Sequence, residues 1–407
     1  MKAKEPMHRI TRRAALTGTA ALLGAPAIAR AAEATPIRIG EINSYSAVPA
    51  FTIPYRKGWR MAVDEINAKG GVLGRKLEVI SRDDAGKPAD AIRLAGELVS
   101  DQKVDLLAGG FLSNIGLAIS GYAKHANKIY IAGEPLADAL TWQDGNAVCF
   151  RLRPSTYMQV AMLIPDAVAL KAKRWATIAP NYEYGQSAVR WFKQLMQEKQ
   201  PGVEFVAEQW PALGHIDAGA TVVALEQAKP DALFNATFGA DQVNFVRQGT
   251  TRGLFRNRPT VSLLTGEPEY LIPLGADTPV GWIVTGYPVE QDQSPGNAAF
   301  VRKYRAQFKE TPRMGSVVGY ALIYSIAAGI ARAGGVSTAE MEKGFAGASF
   351  STPFGNAMYR AIDHQSTMGT FVGKLALKGG KGVMVDWRYV DGASVMPPAP
   401  FVEKLRK

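Results

Sequence analysis

Cysteine is almost missing from this chain. Cys149 is the only one in 407 residues, which excludes an internal disulfide and any cysteine-rich metal site. It stands in the strand-like Val148-Cys149-Phe150, where a small buried hydrophobe fits better than a reactive thiol. Histidine is nearly as scarce. Beyond the first 31 residues only His125, His215 and His364 remain, and no two are paired at metal-ligand spacing. His125, beside Lys124 and Lys128 near a helix end, reads as solvated. The chain carries no Gly-x-Ser-x-Gly elbow, no phosphate-cradling Gly-Lys-Ser/Thr loop and no dinucleotide fingerprint. Spatially assembled triads leave little trace in sequence, yet the balance favours a binder over an enzyme.

Long apolar runs and dense basic tracts are missing too. After the first thirty residues no stretch reaches the ~18 apolar residues needed to span a bilayer, so no membrane anchor is expected. The formal charge of +11 is inflated by the N-terminus: the first 31 residues hold six Lys/Arg and one acid, and the remaining 41 basic and 35 acidic residues leave +6. That excess is scattered, so nucleic acid is not an expected partner. Thr11-Arg12-Arg13-Ala14-Ala15-Leu16, the Ala/Leu/Gly run to about Ala29, and small residues flanking Arg30 read as a twin-arginine export signal over 1–31. The mature protein is then expected in the periplasm.

About 375 residues exceed what one hydrophobic core organises, so two domains are expected. No Pro/Ser linker, low-complexity tract or short repeat divides them. Strand and helix patterns alternate from end to end, which predicts α/β layers with largely parallel sheets. Ile37–Ile42 reads as a strand. Trp59, Ala62, Val63 and Ile66 form the buried stripe of a short helix, which Gly70 and Gly71 stop because glycine takes a left-handed cap without steric cost. Leu77–Ile80 follows as a strand. The alternation continues through helices near 155–172, 185–199, 217–228 and 240–252, with strands at 104–108, 129–132, 175–179, 204–207, 232–236, 261–264 and 282–285. The tail adds helices near 297–309, 316–334 and 338–347, then β-like segments near 371–377 and 383–389. Asp83-Asp84 reads as turn and cap chemistry ahead of Lys87-Pro88, because adjacent strand-end acids point to opposite faces.

The wording INAKGGVLGRKLEVISRDDAG resembles the leucine/isoleucine/valine-binding family of solute receptors that serve ATP-binding-cassette importers, and the resemblance recurs along most of the chain. It implies two doubly wound Rossmann-like lobes joined by a three-crossing hinge, the type 1 periplasmic binding protein architecture. Crossings near 153, 285 and 368 would give one lobe of 35–153 plus 285–368 and another of 154–284 plus 369–407. It further implies a monomer that captures a small solute and delivers it to an inner-membrane permease, with no cofactor, no metal and no catalytic residue.

In doubly wound sheets, ligands bind outside the carboxyl ends of strands. The loops there carry the candidate ligand-binding residues. The family places a covering aromatic after the first strand, here Phe51, with Tyr45 second. Phe111, Ser113 and Asn114 follow the third strand, where Ser113 could both cap its helix and touch ligand. Glu134 and Pro135 follow the fourth, where amino-acid receptors of the family carry Ala/Ser-Ala-Thr; the threonine position is Leu136. The second lobe offers Tyr184, Phe238 and Glu267, the last matching the family acid that takes the ligand's ammonium. Aromatic rings and a few polar anchors suit a small-molecule pocket. Glu134 and Glu267 favour an amine, amide or amino acid, while the rings leave an aromatic acid as the competing ligand. A ligand-sensing module for a membrane receptor, or an enzyme on the same scaffold, would share this site.

Overall fold

The computed structural model describes Met1, Ala3 and residues 35–406, so the export signal lies outside the described residues. From Thr35 the chain runs β1 (Ile37–Asn43), α1 (Pro49–Ala68), β2 (Leu77–Asp83), α2 (Pro88–Ser100), β3 (Leu106–Gly109), α3 (Ser113–Ala126), β4 (Tyr130–Ala132) and β5 (Cys149–Arg151). These strands form one parallel sheet in the order β2-β1-β3-β4-β5, with Ile39 opposite both Val79 and Leu106. Next come α4 (Thr156–Ala169), β6 (Arg174–Ile178), α5 (Glu183–Lys199), β7 (Glu204–Gln209), α6 (Ala218–Gln227) and β8 (Ala232–Asn235). Then follow α7 (Gly239–Arg252), β9 (Thr260–Gly266), α8 (Pro268–Leu274) and β10 (Ile283–Gly286). The chain continues with α9 (Pro295–Phe308), α10 (Met314–Ala333), α11 (Thr338–Phe345) and the hairpin of β11 (Ser349–Thr352) and β12 (Gly355–Met358). It ends with β13 (Thr370–Lys378), β14 (Lys381–Val390) and α12 (Ala399–Leu405). The second sheet has the order β14-β13-β10-β9-β8-β6-β7, parallel except for the antiparallel hairpin β13–β14 along its edge.

Each sheet with its covering helices makes one lobe. The backbone passes from the first sheet to the second at residues 152–155; between β10 and β13, neighbours in the second sheet, it runs through α9, α10 and α11, and α10 packs on α1. The end of β5 is tied to the segment leading into β13: Arg151 bridges to Gln365, and its buried guanidinium donates to the Gln365 side-chain oxygen at 2.5 Å.

Two local readings need correction. The first helix is not short: Pro49 at its first position starts it nine residues before Gly58. Phe51 therefore sits in a helical turn instead of a loop. The chain also does contain an apolar stretch long enough to span a membrane, the largely buried α10. It is a core helix of the first lobe, crossing α1 at very short range. A Cβ on Gly58 would lie 2.0 Å from the Ser316 carbonyl oxygen, and one on Gly319 would lie 2.1 Å from that of Tyr55. Glycine at this crossing lets the two backbones touch.

Candidate functional site

The carboxyl ends of both sheets face one small pocket. From the first lobe, Phe111 and Ser113 reach it after β3, and Glu134 and Leu136 after β4. From the second, Tyr182 and Tyr184 reach it after β6, Phe238 after β8, and Leu264 and Tyr270 from β9 and α8. Aromatic contacts cross the gap. Phe111 meets Phe238 edge-on at 6.1 Å, Phe238 meets Tyr184 at 5.7 Å, and Phe51 backs Phe111 at 5.0 Å. Edge-to-face pairs at such spacings attract beyond the area they bury.

Below the rings lies a buried charge cluster. Arg153, in the first passage between the sheets, donates through Nη1 to Glu134 Oε1 and through Nη2 to Glu267 Oε1, the latter at 2.6 Å. All three side chains are buried. Glu134 belongs to the first lobe and Glu267 to the second, so one guanidinium clasps both lobes. Each carboxylate keeps its other oxygen, Oε2, buried with no hydrogen-bond partner among the described residues, and the Tyr184 hydroxyl is equally unpartnered. Burial pushes the Glu134 carboxyl well above the usual range, with Glu267 adding to the rise and Arg153 opposing it. Burial raises Glu267 as well, again against Arg153.

A third carboxylate links the lobes directly. Glu269, on α8, accepts from the Gly315 N–H at 2.8 Å and the Met314 N–H at 3.2 Å, at the N-terminus of α10. Burial, then the neighbouring Glu267, pushes its carboxyl up to about 7.

The loop after β4 is fully engaged by its own surroundings. Ser113 Oγ accepts from the Leu136 N–H at 3.3 Å and the Ala137 N–H at 3.1 Å. The Arg151 guanidinium donates to the Leu136 and Ala137 carbonyls at 3.2 and 2.5 Å. Ser113 is therefore not the cap of its helix: Leu112 holds that position, and the hydroxyl fastens the neighbouring loop instead.

The candidates divide accordingly. Phe111, Ser113, Glu134, Tyr184 and Phe238 line the cavity together, and Glu267 sits beside them through Arg153. Phe51 lies behind Phe111, facing a neighbouring groove with Glu269 and Tyr270. Three candidates lie elsewhere. Tyr45 points back into the first lobe, donating to Glu41 at 2.9 Å under the Arg56 guanidinium. Asn114 caps locally, accepting from the Ile115 N–H at 3.0 Å. Pro135 packs against Gly110 and Gly116, leaving no room for a Cβ there. Glu267 holds the Arg153 guanidinium through Oε1, while its Oε2 stays without a partner among the described residues.

Sequence reasoning missed Arg153, Tyr182, Leu264 and Tyr270. Tyr182 and Tyr270 sit two residues from Tyr184 and three from Glu267, so a wider reading of those loops would have included them. Leu264 left no signal in the sequence and stands out only in the fold. Its φ is +66°, and the β9–β10 register shifts beside it. Such irregularities re-aim side chains next to functional sites.

A family model described as periplasmic binding protein matches residues 36–381. The chain belongs to the periplasmic binding protein family. Among similar family proteins, Leu/Ile/Val-binding protein homolog 7 of Brucella abortus (strain 2308) is 28% identical over 275 residues, 64% of this chain and 67% of that protein. Two solved structures share the fold, with two α/β lobes of type 1 form. One is a solute-binding protein of an ABC transporter from Rhodopseudomonas palustris BisB5 in complex with 3,4-dihydroxybenzoic acid. It has TM-score 0.78 and 23% identity, and the match covers 88% of this chain and 98% of that one. The other is the leucine-, isoleucine-, valine-, threonine- and alanine-binding protein from Brucella ovis in a closed conformation, with TM-score 0.79, 20% identity and coverage of 89% and 97%.

Proposed function

We propose that this protein is the solute receptor of an ABC importer, closing two lobes around a small donor-bearing molecule and releasing it chemically unchanged to a membrane permease. The observation that carries this is the pair of carboxylates from opposite lobes, Glu134 and Glu267, meeting on Arg153 inside an aromatic-lined cavity. Contacts supplied by both lobes exist together only when the lobes are shut, so a solute that makes them shifts the balance toward closure. No step of this cycle asks for a cofactor or a catalytic group; ATP hydrolysis belongs to the importer.

The remaining parts of this reading rest on family resemblance and the N-terminal motif: a periplasmic location reached by twin-arginine export, a monomer, and lobes of 35–153 plus 285–368 and 154–284 plus 369–407. An aromatic acid is the second reading, favoured by the rings that line the cavity. Two carboxylates beside those rings weigh against it. A thermal-shift screen over amines, amides, amino acids and aromatic acids tests the proposal, since binding stabilises the folded state by RT ln(1 + [L]/Kd). Stabilisation by a solute recovered intact by mass spectrometry supports it. Conversion of the solute into a product, or no response to any class, removes it.

A further inference from the structure

We infer that residues 391–406 form a strap across the hinge: they leave the second sheet at the end of β14, dock on the first lobe, and help set how far the solute-free lobes are shut. This strap lies beyond the solute site; it rests on the two-lobe closure proposed above and not on which solute is bound.

The segment is fastened along its whole length. Near its start, Gly392 lies against the stretch leading into β13, where an added Cβ would come 2.5 Å from the Met368 carbonyl oxygen. The Pro397 carbonyl accepts from Arg360 Nη1 at 2.7 Å, and Arg360 Nε donates to Asp363 Oδ1 at 2.8 Å. On α12, Val402 is fully buried. Arg406 then anchors the span on the β4–β5 connection of the first lobe. It donates to the Thr141 carbonyl at 3.1 Å and to the Asn146 carbonyl at 3.4 Å. A segment that starts on one sheet and is fastened to the other lobe adds a non-covalent link to the backbone passages.

Between these fastenings, Phe401 completes a cluster of four rings. Trp142 comes from the β4–β5 connection of the first lobe, and Tyr157 and Trp191 come from α4 and α5 of the second. All six ring pairs have centroids 5.0 to 6.0 Å apart. Trp142 and Trp191 are both buried and meet edge-on at 5.6 Å. Trp142 Nε1 also donates to Asp363 Oδ2 at 3.3 Å, which joins the ring cluster to the Arg360 fastening. Another bond crosses the same seam: Ser187 Oγ, on α5, donates to Asp138 Oδ2 at 2.8 Å. Ring pairs of this kind attract only in particular orientations. Trp142 moves with one lobe and Trp191 with the other, so the cluster keeps all its contacts at the interlobe angle seen here. Phe401 packs on both and stabilises that angle. None of the four rings lines the solute pocket. The strap therefore favours closure with or without solute, and it acts on affinity through the fraction of molecules competent to bind.

The test compares the full chain with Phe401→Ala, Arg406→Gln and the double variant, all free of solute, by small-angle X-ray scattering. Each variant should show a larger radius of gyration than the wild type, and the double variant the largest; Arg406→Lys, which can still donate, should stay closer to the wild type. A merely structural loss would lower the melting temperature in calorimetry and leave the radius of the folded chain unchanged. Should the double variant not fold, Arg406→Gln, at a half-buried side chain, carries the same comparison. Titration with leucine, butyramide, butylamine and 4-hydroxybenzoate, one probe from each class, should show every binder weakened at least threefold and by a common factor, because the strap touches no solute. Variants with the wild-type radius overturn the strap, and so does a loss that differs between probes. A wild-type chain that binds a probe without contracting removes the closure reading and the strap with it; contraction in the wild type, with variants indistinguishable from it, removes the strap alone.

Discussion

Replacing Arg153 by Met tests the interlobe clasp most sharply. The variant keeps an apolar stem but leaves Glu134 and Glu267 facing each other without a counter-charge. Removing one partner of a buried ion pair costs about 3–5 kcal/mol, because the survivor stays desolvated and unpaired. Here the cost has a particular destination. Glu134 and Glu267 sit on different lobes, so parting the lobes returns both to water and relieves the penalty. Affinity for solute should therefore fall by a factor of about 10² to 10³ at pH 8, at roughly 1.4 kcal/mol per tenfold. The melting temperature without solute should fall much less. The pH dependence follows in sign: both carboxyls are raised in the closed structure, so the penalty is absent below their ordinary value of about 4.5 and complete once pH passes the raised values. Closure by the variant should thus recover toward pH 5. Adding Glu134→Gln and Glu267→Gln to Arg153→Met should make the solute-free chain at pH 8 more compact than Arg153→Met alone in small-angle scattering. Calorimetric affinity within threefold of wild type at pH 8 would refute the clasp.

Glu41 and Glu269 are both fully buried with carboxyls pushed up to about 7, chiefly by burial. Each contributes stability that is present below pH ~4.5 and lost as pH rises through 7, at most about 3 kcal/mol apiece. Scanning calorimetry should therefore show the melting temperature falling between pH 5 and 8, and Glu41→Gln should flatten that fall. At the α1–α10 crossing, Gly319→Ala puts a methyl 2.1 Å from the Tyr55 carbonyl oxygen, so about 3 kcal/mol and roughly 4 °C should be lost. Gly121→Ala, on α3 with no heavy atom within 4 Å of the added methyl, should instead stabilise by about 0.5–1 kcal/mol.

The fold was legible because its signals are local and repeated. Trp59, Ala62 and Ile66 mark one buried helical face, and Gly70 and Gly71 end it with positive φ. The tail segments near 371–377 and 383–389 are the β13–β14 hairpin. Half of the site was legible for the same reason: Phe111, Glu134, Tyr184 and Phe238 follow strand ends, where doubly wound sheets bind ligands. What failed were assignments of partner. Nothing local says that Tyr45 turns back to Glu41, or that Ser113 fastens Leu136 and Ala137. Arg153 was invisible as a site residue because its partners lie 19 and 114 positions away, on separate sheets. Long-range charge pairing is set by topology, and single-sequence periodicity carries no record of it.

The central claim is that two lobes shut on an intact solute. Small-angle X-ray scattering of the wild-type chain, with and without a saturating solute taken from the thermal-shift screen, tests it most directly. Contraction of the radius of gyration on binding is the expected result. Superimposable curves at full occupancy, with binding shown by calorimetry on the same sample, would contradict it.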